Sequence, residues 1–263
     1  MQMRTTATAE ARPLISVSVV SHGDGAQLNV LLESLAQHEP ADRIQLLVTD
    51  NLSTDLPELG RGGWSSVVML RPVRPRGFAS NHNAAFGSAT GEFFCVLNPD
   101  LVFQEGVFTR LIGRLERGEG DLAAPVLVDS QGSIQDSFRR LPSPWELVYR
   151  RVGGGAPSPE PGPGAILRPE WIAGMFMFMR RATFASLGGF DARYRLYFED
   201  VDFCTRARLM GLTILVDAGL RLRHDPRRAS RRAGKYLLWH VQSALRFFTS
   251  DVHRRARAMN PHA

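Results

Sequence analysis

Side chains suited to acid–base or metal chemistry gather at a few points along this 263-residue chain. Asn98-Pro99-Asp100 closes the apolar run Phe93 to Leu97. Such a run reads as a strand buried on both faces, and a triplet containing Pro cannot continue a central ladder, so Asp100 falls where the strand ends. In open parallel sheets ligands collect outside the carboxyl ends of the strands, near the reversal of strand order. That makes Asp100 a candidate ligand for a substrate or a metal, the plain alternative being a solvated turn. Ser21-His22 and Asp50-Asn51 also follow apolar runs, and their side chains suit hydrogen bonding to a base or a ribose. Tyr197-Phe198-Glu199-Asp200-Val201-Asp202 leads into a helical pattern. Carboxylates at a helix N-terminus gain about 0.3–1 kcal/mol each from the helix dipole when exposed. The two aromatics add a different effect: they desolvate a neighbouring carboxylate and raise its pKa toward that of a general base. His224 stands alone. A lone His is commonly structural, yet a neutral imidazole joins carboxylates readily in a divalent-metal site.

The elements that must position these groups follow from hydrophobic periodicity. Ile15 to Val20 reads as a first strand, and Asp24 as the cap of a helix with Leu28, Leu31, Leu32 and Leu35 on one face. Leu46 to Thr49 and Val67 to Leu70 are the next strands, and a helix from about Ala79 to Ala89 leads into the strand before Asn98. This β-α-β-β-α-β order, with polar residues at strand ends, predicts an α/β nucleotide-binding sheet. No G-x-G-x-x-G turn follows the first strand and no G-x-x-x-x-G-K loop occurs, which argues against a dinucleotide dehydrogenase and a P-loop enzyme. A nucleotide held without a glycine cradle needs another partner for its phosphates, and a metal on Asp100 would serve. Downstream, Val107, Phe108, Leu111, Ile112 and Leu115 make an amphipathic helix, and Leu122 to Val128 a strand closed by the turn Asp129-Ser130-Gln131-Gly132. Gly153 to Pro163 reads as an irregular, mobile loop. Trp171 to Met179 reads as one buried strand with Met filler, in which Gly174 could mark close approach to a ligand. Gly211 can end the helix that follows Asp202. Leu212 to Val216 is the last strand, and Leu220 to Arg223 brings in His224.

The net charge of +6 comes almost wholly from arginine, since Lys235 is the only lysine, and the surplus lies near the C-terminus. An anionic membrane face, a diphosphate substrate and nucleic acid are the partners to weigh. No groove-reading or RNA-stacking motif accompanies the arginines, so nucleic acid is not expected. Cys95 and Cys204 read as buried thiols. Met1 to Pro13 lacks the apolar core of a signal peptide, and the longest apolar run, Ile172 to Met179, is too short to span a bilayer. The expectation is a cytoplasmic protein, resting at most on the inner face of the plasma membrane. Arg227, Arg228, Arg231 and Arg232 precede a helix with Leu237, Leu238, Val241, Ala244, Leu245 and Phe248 on one stripe. That stripe either packs on the domain, the default, or lies on a membrane with Tyr236 and Trp239 at the headgroup level.

From Ile15 to about Phe248 the chain resembles the inverting family 2 glycosyltransferases of GT-A fold, in their bacterial rhamnosyltransferase-like branch. The resemblance rests on Val48-Thr49-Asp50-Asn51-Leu52-Ser53-Thr54-Asp55, Arg76-Gly77-Phe78-Ala79 with Asn83, Leu97-Asn98-Pro99-Asp100, Gly188-Gly189-Phe190-Asp191 and Tyr197-Phe198-Glu199-Asp200-Val201-Asp202. It implies a GT-A type α/β domain, with a mostly parallel central sheet flanked by helices and a C-terminal amphipathic helical extension. The expected division is a disordered lead (1–13), a catalytic domain (14–225) and a basic helical extension (226–263). Within the domain, 14–128 is the nucleotide-sugar-binding half and 129–225 the acceptor side, with a mobile loop at 151–168.

By position, the resemblance assigns Asp50 and Asn51 to the nucleobase and ribose, and Ser21, His22, Arg76, Gly77, Asn83 and Asn98 to the nucleotide. Asp100 matches the second carboxylate of the family's D-x-D metal motif, where Asn98 replaces the first, and His224 completes the shell around Mg²⁺ or Mn²⁺. Asp200 matches the base toward the acceptor hydroxyl, with Glu199 beside it. The implied reaction moves L-rhamnose or another deoxysugar from a nucleoside diphosphate, such as dTDP-L-rhamnose, to a saccharide acceptor that could sit on a polyprenyl diphosphate, in O-antigen or capsule synthesis. A non-catalytic nucleotide-sugar-binding assembly partner is the alternative. Two departures from the family pattern stand out. Ser21-His22-Gly23 replaces an Asn-Tyr-Asn type loop, and Pro57 with Gly60 to Gly63 breaks the helix after the base motif.

Overall fold

The computed structural model describes residues 14–52, 62–145, 161–162, 164–225 and 234–259. The N-terminal lead, Ser53 to Asp55 with Pro57 and Gly60, most of the loop around Gly153 to Pro163, and Arg227 to Arg232 lie outside the described residues.

β1 (Ile15–Ser21), α1 (Gly25–His38), β2 (Ile44–Asp50), β3 (Ser66–Leu70), α2 (Phe78–Phe86) and β4 (Phe93–Leu97) follow in the expected order. β1, β2 and β4 are buried along their whole length; β4 is a continuous apolar run, while β1 and β2 carry buried polar residues such as Ser16, which bonds to Gln45, and Ser18, which bonds to His82. β1 pairs in parallel with β2 on one side and with β4 on the other, and β2 pairs in parallel with β3. The chain therefore works outward from β1 and returns to its far side. The reversal lies between β1 and β4, so Ser21, Asp50 and Asn98 share one carboxyl edge.

The remaining elements are β5 (Leu101–Val102), α3 (Phe108–Glu116), β6 (Leu122–Val128), β7 (Phe138–Arg139), β8 (Ile166–Leu167), β9 (Trp171–Ile172), β10 (Phe176–Arg180), α4 (Arg181–Ser186), α5 (Glu199–Leu209), β11 (Ile214–His224), α6 (Gly234–Phe248) and α7 (Asp251–Met259). The main sheet runs β3-β2-β1-β4-β10-β6-β11-β5, with β8 also on β11. β10 is antiparallel to both β4 and β6, and β11 is parallel to β6. Because of β10's direction, its first residues meet the end of β4, with Phe176 opposite Leu97. Phe93 and Phe178 stack across this seam at 5.2 Å, and Phe108 covers Phe178 at 5.4 Å.

Several elements depart from the sequence expectation. Trp171 to Met179 is two strands: Phe176 N–H bonds to Ala173 C=O at 3.3 Å, turning the chain at Gly174, and β9 leaves the main sheet to pair with β7. The last expected strand is longer: β11 runs past Val216 as far as His224, with a register shift between Asp217 and Arg221. Asp217 is fully buried there and accepts hydrogen bonds from Arg110 and Arg114, so its charge is paired inside the fold. Asp24 occupies the N-cap position of α1, but its carboxylate accepts the N–H of His22 at 3.0 Å instead of capping the helix. Gly211 ends α5 as expected: at φ +78° its N–H bonds to Arg208 C=O, and Leu212 N–H reaches back to Ala207 C=O. Cys95 and Cys204 are free and buried.

The apolar stripe of α6 does not pack as a unit. Ser243 and Phe247 are buried, while Leu237, Leu238, Val241 and Leu245 are 41%, 55%, 45% and 61% exposed. No described helix is long and apolar enough to cross a membrane.

Candidate functional site

The short ladder between β5 and β11 pairs Leu101 with His224, and so sets Asp100 beside the imidazole. His224 Nε2 lies 3.3 Å from Asp100 Oδ1, and His224 is 5% exposed. Gln135 fixes the ring from behind: its amide donates to His224 C=O at 2.9 Å, and its Oε1 meets Nδ1 in a short contact. An amide oxygen only accepts, so Nδ1 carries a proton, and Nε2 is the ring nitrogen turned toward Asp100. Asp100 Oδ1 is itself buried and accepts no hydrogen bond. With Nε2 unprotonated the pair would present two acceptors to a positive charge between them. A divalent cation supplies such a charge, and Mg²⁺ commonly takes only one or two protein ligands and completes its shell with substrate phosphates and water. Among the described residues no three His, Cys, Asp or Glu side chains converge.

The end of β4 connects directly to the acidic cluster. Asn98 N–H bonds to Met175 C=O at 2.9 Å, and the adjoining Gly174 N–H bonds to Asp200 Oδ2 at 2.9 Å. Val201 N–H holds the other carboxylate oxygen at 2.8 Å. A Cβ on Gly174 would lie 3.0 Å from the Phe78 ring and 3.7 Å from Asp200 Cβ, so the close approach that this glycine permits is to Phe78 and Asp200. Burial pushes the Asp200 carboxyl above its ordinary range despite those two N–H groups. Glu199 is 5% exposed, with Oε2 unbonded. Burial first and the Asp200 charge second drive its pKa well above the ordinary value. Glu199 therefore keeps its proton to higher pH, and Asp200 is the more exposed of the two. Asp202, the third acid, pairs with Arg206 at 2.7 Å on the same helix.

The other predicted residues divide into two groups. Ser21 and Asp50 face each other in the β1–β2 register, both buried, with Asp50 4.0 Å from Arg71. Asn51 is drawn into the framework: Oδ1 accepts Arg76 N–H and Nδ2 donates to Arg76 C=O, each at 2.9 Å, with His22 against the same amide at 2.8 Å. Asn83 treats Phe190 the same way, at 2.9 and 2.7 Å. Both asparagines use their amides to pin a loop. The Arg76 side chain is exposed at this edge. Gly77 is required by packing, since a Cβ there would lie 2.3 Å from Arg195 C=O, the group that accepts Phe78 N–H at 3.0 Å. The structure thus brings Ser21, His22, Asp50, Asn51 and Arg76 together. It links Asn98 to Asp200 and Asp100 to His224, and leaves Asn83 on the Phe190 loop. Sequence reasoning missed Gln135 and Met175. Gln135 lies in a polar turn with no local signal, whereas the Gly174 beside Met175 was the one hint in its run.

The profile of Glycosyl transferase family 2 matches residues 16–176. The chain belongs to this family. It is a glycosyltransferase, drawing its sugar from a nucleotide-sugar donor, and the non-catalytic alternative is not favoured. It is similar to the N-acetylglucosaminyl-diphospho-decaprenol L-rhamnosyltransferase of Mycobacterium tuberculosis, with 27% identity covering 91% of this chain and 85% of that one. It is also similar to the rhamnosyltransferase WbbL of Escherichia coli K12, with 24% identity over 89% and 92%. Among solved structures, GalNAc-T7 with UDP, GalNAc and Mn²⁺ superposes with a TM-score of 0.66 at 16% identity, covering 96% of this chain and 51% of that one. The mannosyltransferase of Pyrobaculum calidifontis with GDP-Man and Mn²⁺ gives 0.58 at 18% identity, over 97% and 73%. These neighbours share the GT-A arrangement of a mostly parallel sheet flanked by helices. Both of these neighbours were solved with Mn²⁺.

Proposed function

We propose that this glycosyltransferase transfers L-rhamnose, or a closely related deoxysugar, from a dTDP-type donor to a saccharide carried on a polyprenyl diphosphate, inverting the anomeric configuration. The rhamnosyltransferase relatives, one named for a diphospho-decaprenol acceptor, support the substrates. The observation that carries the mechanism is the bond from Gly174 N–H to Asp200, on the turn that also holds Asn98 at the end of β4. It sets one ionisable carboxylate beside the edge where a nucleotide would lie, and a single base on one side of the sugar is what a single displacement needs.

In this reading Asp50, Ser21, His22 and Arg76 frame the base and ribose, with Asn51 holding the Arg76 backbone. Asp200 accepts the proton of the acceptor hydroxyl as its oxygen attacks the anomeric carbon, with the buried Glu199 beside it. Asp100 and His224 would hold Mg²⁺ or Mn²⁺, which supplies charge neutralisation to the departing diphosphate. The exposed leucines of α6 and the arginines near it would rest on the inner face of the plasma membrane, where a polyprenyl-linked acceptor is found.

The test is turnover of dTDP-L-rhamnose with a short-chain prenyl-diphospho-N-acetylglucosamine, with the product configuration read by NMR. The expected product is inverted, and Asp200→Asn lowers turnover by about 10² to 10⁴-fold while donor binding survives. Retained configuration, or near wild-type turnover in Asp200→Asn, would overturn the mechanism.

A further inference from the structure

The four residues that precede Glu199 and Asp200 are each held by α6. The Arg195 guanidinium lies over the Trp239 ring at 4.7 Å. Ser243, 5% exposed, donates its hydroxyl proton to Leu196 C=O at 2.9 Å. The Tyr197 ring packs on His240 at 5.2 Å. Phe198 meets His240 at 5.5 Å, Phe247 at 5.7 Å and Phe248 at 6.0 Å.

This segment is also the strained part of the backbone. Tyr197 and Phe198 have φ of 70° and 66°, and no other non-glycine among the described residues has a positive φ. Bulky residues enter the left-handed region only where their surroundings over-determine it, and such strain collects where a site must be held in an unusual shape. Here the consecutive left-handed residues start α5 at Glu199, and the next residue, Asp200, meets Gly174 N–H. What over-determines the turn is α6. On its other side the segment touches the donor edge, through Arg195 C=O against Gly77 and Phe78 N–H.

Resting on the assignment of Asp200 as the base, we infer that α6 belongs to the catalytic apparatus: Ser243 and His240 are positioning residues that hold the Leu196–Phe198 turn, and through it the Asp200 carboxylate. The C-terminal helix is then more than an extension added to a finished domain. A filler role would predict something different, namely that removing these contacts lowers stability and leaves the chemistry of the folded protein alone.

The experiment compares Ser243→Ala, Ser243→Thr, His240→Leu and the exposed control Gln242→Ala in the full chain, with the donor and acceptor of the turnover assay, at a temperature where each variant is folded. Ser243→Ala and His240→Leu should each lower kcat by about ten- to a hundredfold, the scale of a misplaced catalytic group, with donor KM within about twofold of wild type. The acidic limb of the kcat–pH profile, which reports the base in the bound complex, should move in both. Ser243→Thr should restore kcat, and Gln242→Ala should leave it unchanged. If His240→Leu does not fold, His240→Gln is read against the same thresholds. Wild-type kcat and an unmoved acidic limb in Ser243→Ala and the His240 variant would overturn the inference. Asp200→Asn run alongside separates the two readings. Turnover retained in Asp200→Asn removes the base assignment and this inference with it, whereas turnover lost there but unchanged in the α6 variants removes this inference alone.

Discussion

His224 Nε2 sits 3.3 Å from Asp100 Oδ1, with Gln135 holding the far ring nitrogen, so an imidazole nitrogen and a carboxylate oxygen face each other at the end of the sheet. Both are ligand types that a divalent cation takes. Asp100→Asn and His224→Ala should each abolish the added thermal stability that Mn²⁺ with dTDP gives the wild type. EDTA should do the same to the wild type. Gln135→Leu should weaken metal affinity by about 10- to 100-fold, the usual scale for losing the group that orients a metal-binding His. Equal stabilisation by dTDP with and without Mn²⁺ would show that the pair holds no metal.

Gly77 offers a separate test of how the donor edge is built. A Cβ there would lie 2.3 Å from the Arg195 carbonyl oxygen, a backbone atom that cannot swing aside. Gly77→Ala should cost about 1–3 kcal/mol, as overpacked sites do, and lower Tm by several degrees. An unchanged Tm in a calorimetric scan would mean that the Arg195 segment is free to move. Gly63→Ala is a useful contrast, because a Cβ there meets nothing and its cost comes only from φ of +65°.

The site's frame was legible wherever strand ends carry it. β1, β2 and β4 are buried on both faces and stop at Ser21, Asp50 and Asn98, so apolar runs ending in polar residues marked the edge directly. What joins the edge into one site was hidden. The run Trp171 to Met179 stays apolar through its turn at Gly174, and hydrophobicity does not register a change of direction. The continuation of β11 past Val216 was hidden because the partners of Asp217, Arg110 and Arg114, belong to a helix more than a hundred residues earlier. The partnerships of Gln135 with His224 and of Ser243 with Leu196 are side chain to backbone contacts between distant elements, and no local spacing encodes them. For α6, composition identified an apolar stripe but not the part of it that packs. The helix buries the Ser243 and Phe247 side, which includes a polar residue, and leaves leucines outside.

Glu39 sets a pH dependence of stability. It is 6% exposed and accepts the N–H groups of Val107 (2.5 Å) and Phe108 (3.0 Å) at the start of α3. Burial, opposed by those two bonds, raises its pKa from 4.5 to about 7. The folded state thus keeps a proton that the unfolded chain releases near 4.5. The associated stability is fully present below that pH and falls away as pH rises through about 7, by up to about 3 kcal/mol. Glu39→Gln retains an acceptor oxygen without the charge. Relative to wild type it should gain stability between pH 5 and pH 8, measured as the difference in urea midpoints, and a constant difference across that range would refute the assignment.

The outer face of α6 gives the last prediction. Leu237, Leu238, Val241 and Leu245 recur at helical spacing and are each at least two-fifths exposed, and exposed Arg246, Arg254, Arg255 and Arg257 belong to the same helical pair. An apolar stripe with arginines nearby matches an anionic bilayer, which accepts the leucines at the acyl boundary and the guanidinium groups among phosphates. Burying a leucine fully is worth about 1.5–3 kcal/mol, so losing two should weaken binding by at least about tenfold even with partial insertion. Wild-type protein should float with vesicles containing phosphatidylglycerol and remain in solution with pure phosphatidylcholine, and Leu238→Ser with Leu245→Ser should abolish flotation. Turnover on a water-soluble, short-chain acceptor should stay near wild type, because these side chains point away from the Ser243 and Phe247 face that meets the Asp200 loop. Flotation unaffected by the two serines would assign the apolar face to something other than lipid.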